Sequence, residues 1–413
     1  MEIASFGTQS AKELPNALLS NFDIQRRFTM DKAARIRKAF ADGEGVIRMV
    51  PNFVPRSFNQ PGRRLKLHPD DYYAKGMDRG AITERWFSSV CPAANGPLAP
   101  EDEGLSYVSL SEDKEDKILF KDFIAELKGE IIGKALYDEY GTFPMYAKFF
   151  DNNGPLFHHI HPAEETVRAV GNHQKPEAYY FSPQMNNHMG TAPYTYFGFD
   201  PEVTKEEVKE RLLQFRTRDN KITELSRAYR VQLGTGWYTP PGVIHAPASV
   251  CTYEPQWNAD CNVVMENVTA GEVNKYDSLC QQCPEDKKED IDYIMNFLDW
   301  EKNVDPDYRK HYFRAPITIH EDDVYVDKWV CYANPYVAAK ELTILPGQSA
   351  LIQDDACYGC ILVQGHGKFG KYDCEAPTMI RYGDLTSDEF FVSEAAAKKG
   401  VLIVNESKFD PLV

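Results

Sequence analysis

FPMYAKFFDNNGPLFHHIHPAEETVRAVGNHQKPEAYYF, residues 143–181, decides the fold. The apolar run from Phe143 to Phe150 reads as a buried strand, closed by the turn residues Asp151, Asn152, Asn153 and Gly154. A second short run carries His158, His159 and His161. In an extended chain successive side chains alternate, so His159 and His161 share a face and His158 takes the other. A bulge there would exchange His158 for His159. A third run opens on Glu177 and continues through two tyrosines. Two imidazoles and a carboxylate on neighbouring strands can converge on one divalent metal.

A fourth ligand follows in GTGWYTPPGVIH, residues 234–245. Its Gly and Pro residues force a tight turn, and His245 leaves that turn on the next strand. The two stretches resemble the paired motifs of the cupin superfamily. The first has Gly, two alternating His and a Glu; the second has Gly, five residues, Pro-x-Gly, two residues and His. More closely, they resemble the type I phosphomannose isomerases. FPMYAKFFDNNGPLFHHIHP is similar to that family's strand–turn–strand ending in Gln-x-His-Pro. Asn172 to Glu177 is similar to its Asn-His-Lys-Pro-Glu with one residue inserted. Pro240 to Ala246 is similar to its metal-binding His-Ala turn, and Glu84-Arg85-Trp86 to a Glu-x-Trp element. The resemblance spans residues 45–268. It implies zinc, with iron or manganese as other candidates, at His159, His161, Glu177 and His245; His159 stands where the family usually has Gln.

The same resemblance implies roles for further residues. Lys175 matches the family's Lys beside the ligand Glu. Glu254 and Asp260 match acidic positions near its metal, and these three are the candidate catalytic groups for moving a proton between C1 and C2 of a sugar. Lys148 matches a substrate-binding Lys of the first strand, and a lysine inside an apolar strand needs a partner or a ligand. His173 matches the His of Asn-His-Lys-Pro-Glu, a candidate near the substrate. Some positions depart from the pattern: Phe157 stands for a phosphate-binding Ser, Met265 for an Arg, and Pro247 for a Tyr. The metal half of the site is kept while the phosphate half is altered. Arg56, Arg63 and Arg64 form the densest basic cluster, and Arg227 lies further on. Arginine forks suit phosphate oxygens, so Arg64 is a candidate substrate contact, against the bland reading of a solvated loop.

At 413 residues the chain is long enough for two or three domains. Its net charge of −16 argues against nucleic acid and anionic membranes as partners. No apolar run approaches the ~20 residues of a spanning helix, and the first residues lack a signal-peptide profile, so a cytoplasmic location is expected. Nine scattered cysteines fit a reducing compartment. The pairs Cys280/Cys283 and Cys357/Cys360 could join on a structural zinc, although reduced thiols are the default reading.

The expected fold is mainly β with helical insertions: two cupin jelly-roll barrels, the second degenerate. Residues 1–140 read as a helical and loop-rich region packed on the first barrel, with helix over most of 1–43. Residues 141–268 form the metal-binding cupin, with a helix opened by the capping box Thr204 to Glu207. Residues 112–140 read as an amphipathic helical stretch and 269–310 as a helical connector. Residues 311–413 read as a second cupin without ligands, since His366 stands alone in a Gly turn and no alternating His pair occurs near Gln353. The implied activity is a metal-dependent aldose–ketose isomerase for mannose 6-phosphate and fructose 6-phosphate, or a related sugar. A cupin dioxygenase using iron and a non-catalytic sugar-binding cupin are the alternatives. The expected partner is a sugar or sugar phosphate, with a homodimer as the candidate assembly.

Overall fold

The computed structural model describes residues 31–413; the helical reading of residues 1–30 lies outside the described residues. Fourteen strands are needed to follow the site: β1 (Val46–Val50), β2 (Asn52–Arg56), β3 (Ala81–Phe87), β4 (Tyr107–Ser109), β5 (Lys117–Leu119), β6 (Met145–Asp151), β7 (His159–Ile160), β8 (Glu177–Tyr180), β9 (Tyr194–Phe199), β10 (Ser226–Arg230), β11 (Gly236–Thr239), β12 (His245–Ala246), β13 (Cys251–Trp257) and β14 (Val263–Val264). The chain is mainly β, with several sheets in a cupin-like arrangement.

Seven strands form one antiparallel sheet in the order Phe313–Arg314, β11, β8, β13, β6, β3, β2. β6 lies inside it, and from Tyr146 to Asp151 every residue is buried. A strand covered on both faces reads as a continuous apolar run, which is why Phe143 to Phe150 shows little alternation. A second sheet runs β10, β9, β12, β7, β14. Two adjacent inner strands, β12 and β7, carry His245 and His159 directly opposite each other. Alternation then sends Ile160 outward, where it packs with Val208, Leu212, Ile291 and Ile294 of two helices. The helix Lys205–Leu213 opens on the capping box expected from Thr204 and Glu207.

The second half holds three further sheets. Ile317–Glu321, Tyr325–Cys331 and Ala339–Ile344 form a meander. Ser349–Ile352, Val401–Asn405, His366–Phe369 and Tyr372–Glu375 form a four-stranded sheet. Tyr358–Ile361 and Glu389–Val392 continue through β1, β4 and β5. The sequence reading puts residues 1–140 on the first barrel; here that segment divides. β2 and β3 extend the seven-stranded sheet, while β1 pairs with Glu389–Val392.

The stretch 112–140 contains β5 and three short helices, Phe120–Leu127, Gly129–Ile132 and Lys134–Tyr140. Positive φ at Lys128 (54°) and Gly133 (91°) breaks the stretch. Its apolar face is inward nonetheless: Phe120, Phe123, Ile124, Leu127, Ile131 and Ile132 share one core cluster. The connector consists of a small hairpin and four short α-helices from Tyr276 to Tyr312. All nine cysteines are free, and the two Cys-x-x-Cys pairs pack in different clusters, so no zinc joins them. Among the described residues, no helix is long and apolar enough to cross a membrane.

Candidate metal centre

The inner faces of the seven- and five-stranded sheets meet at His159, His161, His245 and Glu177. The ligand nitrogens of the three histidines lie within 4.8 Å of one another, and all three side chains are buried. His158 points away, as alternation requires: its Nδ1 lies 3.0 Å from Glu266 and its ring stands edge-on to Tyr196.

Each imidazole is oriented by its own backbone neighbourhood. Nδ1 faces a carbonyl oxygen in all three: Phe157 for His159 (3.0 Å), Cys261 for His161 (2.7 Å) and Val243 for His245 (2.9 Å). A carbonyl only accepts, so Nδ1 carries the proton and Nε2 presents a lone pair. Burial holds His159 well below the ordinary imidazole range and, with the Lys175 charge, brings His161 down to about 4. Both rings are therefore neutral at pH 7, the state a metal needs.

Glu177 spans the cluster. One carboxylate oxygen lies 3.2 Å from His161 Nε2 and the other 3.2 Å from His245 Nε2. His245 Nε2 and Glu177 Oε1 make no hydrogen bond at that distance and are otherwise unpartnered. Two buried lone-pair atoms left facing each other fit a shared cation. A cation already stands there in part. The Lys175 ammonium lies 2.8 Å from Glu177 and 3.2 Å from His161 Nε2, and supplies positive charge where a divalent ion would. Three neutral imidazoles and one carboxylate suit a divalent transition metal.

A row of charges runs from the cluster across the inner face of the seven-stranded sheet. Register puts Glu254 on β13 directly opposite Lys148 on β6, and Lys148 opposite Trp86 on β3. Lys148 Nζ is 3.2 Å from Glu254 and 3.9 Å from Glu84. Lys175 is 3.2 Å from the same Glu254 oxygen. Burial and the nearby Glu177 charge nevertheless push the Glu254 carboxyl up to about 7. Glu84 accepts from Trp86 Nε1 at 2.7 Å and from Arg56 at 3.0 and 3.1 Å. Arg56 continues to Asp260 at 3.0 Å. Burial opposes ionisation of Asp260, but Arg56 and Lys148 outweigh it and bring it down to about 2.

Lys148, Lys175 and Glu254 thus stand together beside the cluster, and Asp260 lies behind Arg56. Two candidates lie elsewhere. Arg64 is buried, with Nε 2.5 Å from Asp151 and three further bonds to the carbonyls of His188, Ser249 and Asn152. Arg64 is folded inward while Arg63 beside it is exposed, and the Arg64 guanidinium braces the turn after β6. The His173 side chain is 72% exposed and pairs with Glu164 rather than facing the cluster. Arg227 is likewise committed, to the carbonyls of Asn303 and Asp305. Glu84, singled out in the sequence only as part of a Glu-x-Trp element, is the member of the charge row to which the sequence reading gave no site role. Its signal was a carboxylate two residues before Trp86 in a strand buried throughout.

No family model matches the sequence, and no curated protein matches it. The sheets and the cluster define a cupin-like protein with a candidate metal centre. More particularly, the chain has the fold of the phosphomannose isomerases. It is similar to mannose 6-phosphate isomerase from Bacillus subtilis at 14% identity and TM-score 0.55, over 88% of this chain and 98% of that one. It is similar to a variant phosphomannose isomerase from Salmonella typhimurium at 11% identity and TM-score 0.59, over 89% and 98%. A zinc-bound mannose 6-phosphate isomerase aligns at 12% identity and TM-score 0.57, over 89% and 98%.

Proposed function

We propose that the protein is a metal-dependent aldose–ketose isomerase acting on mannose 6-phosphate and fructose 6-phosphate or a related sugar, in the cytoplasm. The observation that carries this reading is the convergence of three Nε2 lone pairs and Glu177 beside the buried Lys148–Glu254–Lys175 row. The likeness in fold to the phosphomannose isomerases supports it, as does the zinc held by one of them. In this reading residues 141–268 are the metal-binding cupin, and residues 311–413 a second cupin that lost its ligands.

His159, His161, Glu177 and His245 would hold zinc, which would supply Lewis acidity toward sugar oxygens. The chain's own residues do the rest. Glu254, with its carboxyl near pH 7, is suited both to take a proton from carbon and to return it to the neighbouring carbon. Lys148 and Lys175 fix it from two sides and donate to oxygens that gain charge in the enediolate. Asp260 keeps its negative charge and orients Arg56, which leaves proton transfer to Glu254.

The test is a coupled assay on zinc-loaded protein, with mannose 6-phosphate and free mannose as parallel substrates and an EDTA-treated control. Turnover lost with EDTA and restored by zinc supports the reading. Turnover of the free sugar alone assigns the unphosphorylated substrate, consistent with Arg56, Arg64 and Arg227 all holding internal partners. Absence of turnover on both, with iron retained in the preparation, overturns it in favour of oxygen chemistry.

A further inference from the structure

An apolar cavity lies outside the metal cluster, lined on one side by the seven-stranded sheet that carries Glu177. It measures about 370 Å3, lies between the seven-stranded sheet and the meander of the second half, and runs into the C-terminal sheets. None of His159, His161, Glu177 or His245 lines it. Its walls are largely apolar and aromatic, among them Phe87, Tyr253, Tyr358 and Phe390. Tyr358, Cys360 and Leu362 pack against the core cluster of this half yet are only partly buried. Close-packed interiors do not leave apolar side chains in that state without cost, and a space of this size matches a small-molecule site.

Of its charged groups, Asp388 is held by Arg85 and Glu341 accepts from the Tyr180 hydroxyl, and the other three stand together. On the meander, Asp327 and Trp329 lie two residues apart on one face, with Lys340 directly opposite Trp329. The Lys340 ammonium sits 4.9 Å over the Trp329 ring, 2.9 Å from Asp354 and 3.6 Å from Asp327 Oδ2. Asp327 is 8% exposed, and its Oδ1 has no hydrogen-bond partner. Two carboxylates against one ammonium leave one negative charge, and the unpartnered oxygen belongs to the buried acid. An acceptor in that position is completed by a cationic donor, and the aromatic walls suit a flat ring.

We propose that this cavity is a second ligand site, which takes a ring-bearing organic amine with its ring among the aromatic walls and its ammonium on Asp327. The site lies between the two halves, with Asp327 on the second, and does not depend on the isomerase reading.

Three probes sharing one indole ring test it by calorimetry on the intact chain: tryptamine, 3-ethylindole and indole-3-acetate. Tryptamine is expected to bind saturably, one per chain, and at least about tenfold more tightly than the neutral and anionic probes, the scale of one charge-assisted hydrogen bond. D327N should remove that advantage and leave 3-ethylindole binding as it was. Cys360→Trp, which fills the cavity, should abolish binding of both. Treatment with EDTA should change neither, which separates this site from the metal centre. Equal binding of the three probes, or no saturable tryptamine binding in the millimolar range, overturns the proposal. If Cys360→Trp does not fold, D327N decides: an unchanged order of the three probes in that variant also overturns it.

Discussion

His158 and His159 are chain neighbours with opposite duties, and this is where single residues can be tested. His245→Ala removes one of four converging ligands. Metal content by mass spectrometry should fall from one equivalent per chain to under about a tenth at micromolar zinc. His158→Ala should leave metal content unchanged but strip Glu266 of a buried partner, costing about 1–3 kcal/mol in denaturant unfolding. Glu254→Gln should retain metal and lower kcat by about 10²–10⁴-fold, the range for a lost acid–base group. In the parent protein the ionised base is lost as pH falls, so kcat/KM should drop below a midpoint near pH 7. A profile flat from pH 5.5 to 8.5 would remove Glu254 from the proton-transfer role. At this scale the sequence was most readable where backbone geometry alone decides. Alternation separated His158 from His159 and joined His159 to His161. Arg64 and His173 were misread for one reason: both sit in loops, where no periodicity says which way a side chain turns.

The turn before His245 is built by two distant elements. Gly242 has φ of 81°, and its N–H donates to the His161 carbonyl at 2.7 Å, so the second motif grips the first through backbone. A Cβ at Gly242 would lie 2.9 Å from the Cβ and backbone nitrogen of Asp299. The connector closes the turn from outside. Buried Asn303 donates to the Gly242 carbonyl at 2.7 Å and accepts from Ile244 N–H at 2.9 Å. Asn303→Ala should therefore loosen His245 without touching a ligand. We expect zinc affinity to fall about 10–100-fold in competition with a chelator, the range for lost outer partners of a metal ligand. Unchanged affinity would make Asn303 a packing residue only. The Gly-to-Pro-to-Gly-to-His spacing announced this turn in the sequence. Asn303 was illegible because its partners lie some sixty residues earlier, and a short helix ending in Asn has no local signature of that duty.

Arg85 on β3 reaches across to the second half and holds Asp388 by two 2.8 Å bonds, with Glu389 at 3.4 Å. Burial pushes the Glu389 carboxyl up to about 8, since the one guanidinium is shared and already spent on Asp388. The sign follows from linkage. The folded state holds this proton more tightly than the unfolded chain, so the stabilisation is complete below the ordinary carboxyl range and is lost as pH rises toward about 8. The parent Tm should fall relative to Glu389→Gln between about pH 5 and pH 8.5. Parallel Tm curves for the two proteins would show that Glu389 does not titrate in that window. The mainly-β character and the metal sheets were legible because strands in both halves carry their own apolar runs. The union of β1 with Glu389–Val392 was not, since register between strands more than three hundred residues apart leaves no trace in local pattern. That union also bears on synthesis. β1 gains β4 on one edge early, but its other edge stays open until translation has passed residue 392. A ribosome-bound chain must therefore carry an unpaired strand edge throughout elongation, and chaperone occupancy on the nascent protein should persist until the last strand of that sheet emerges.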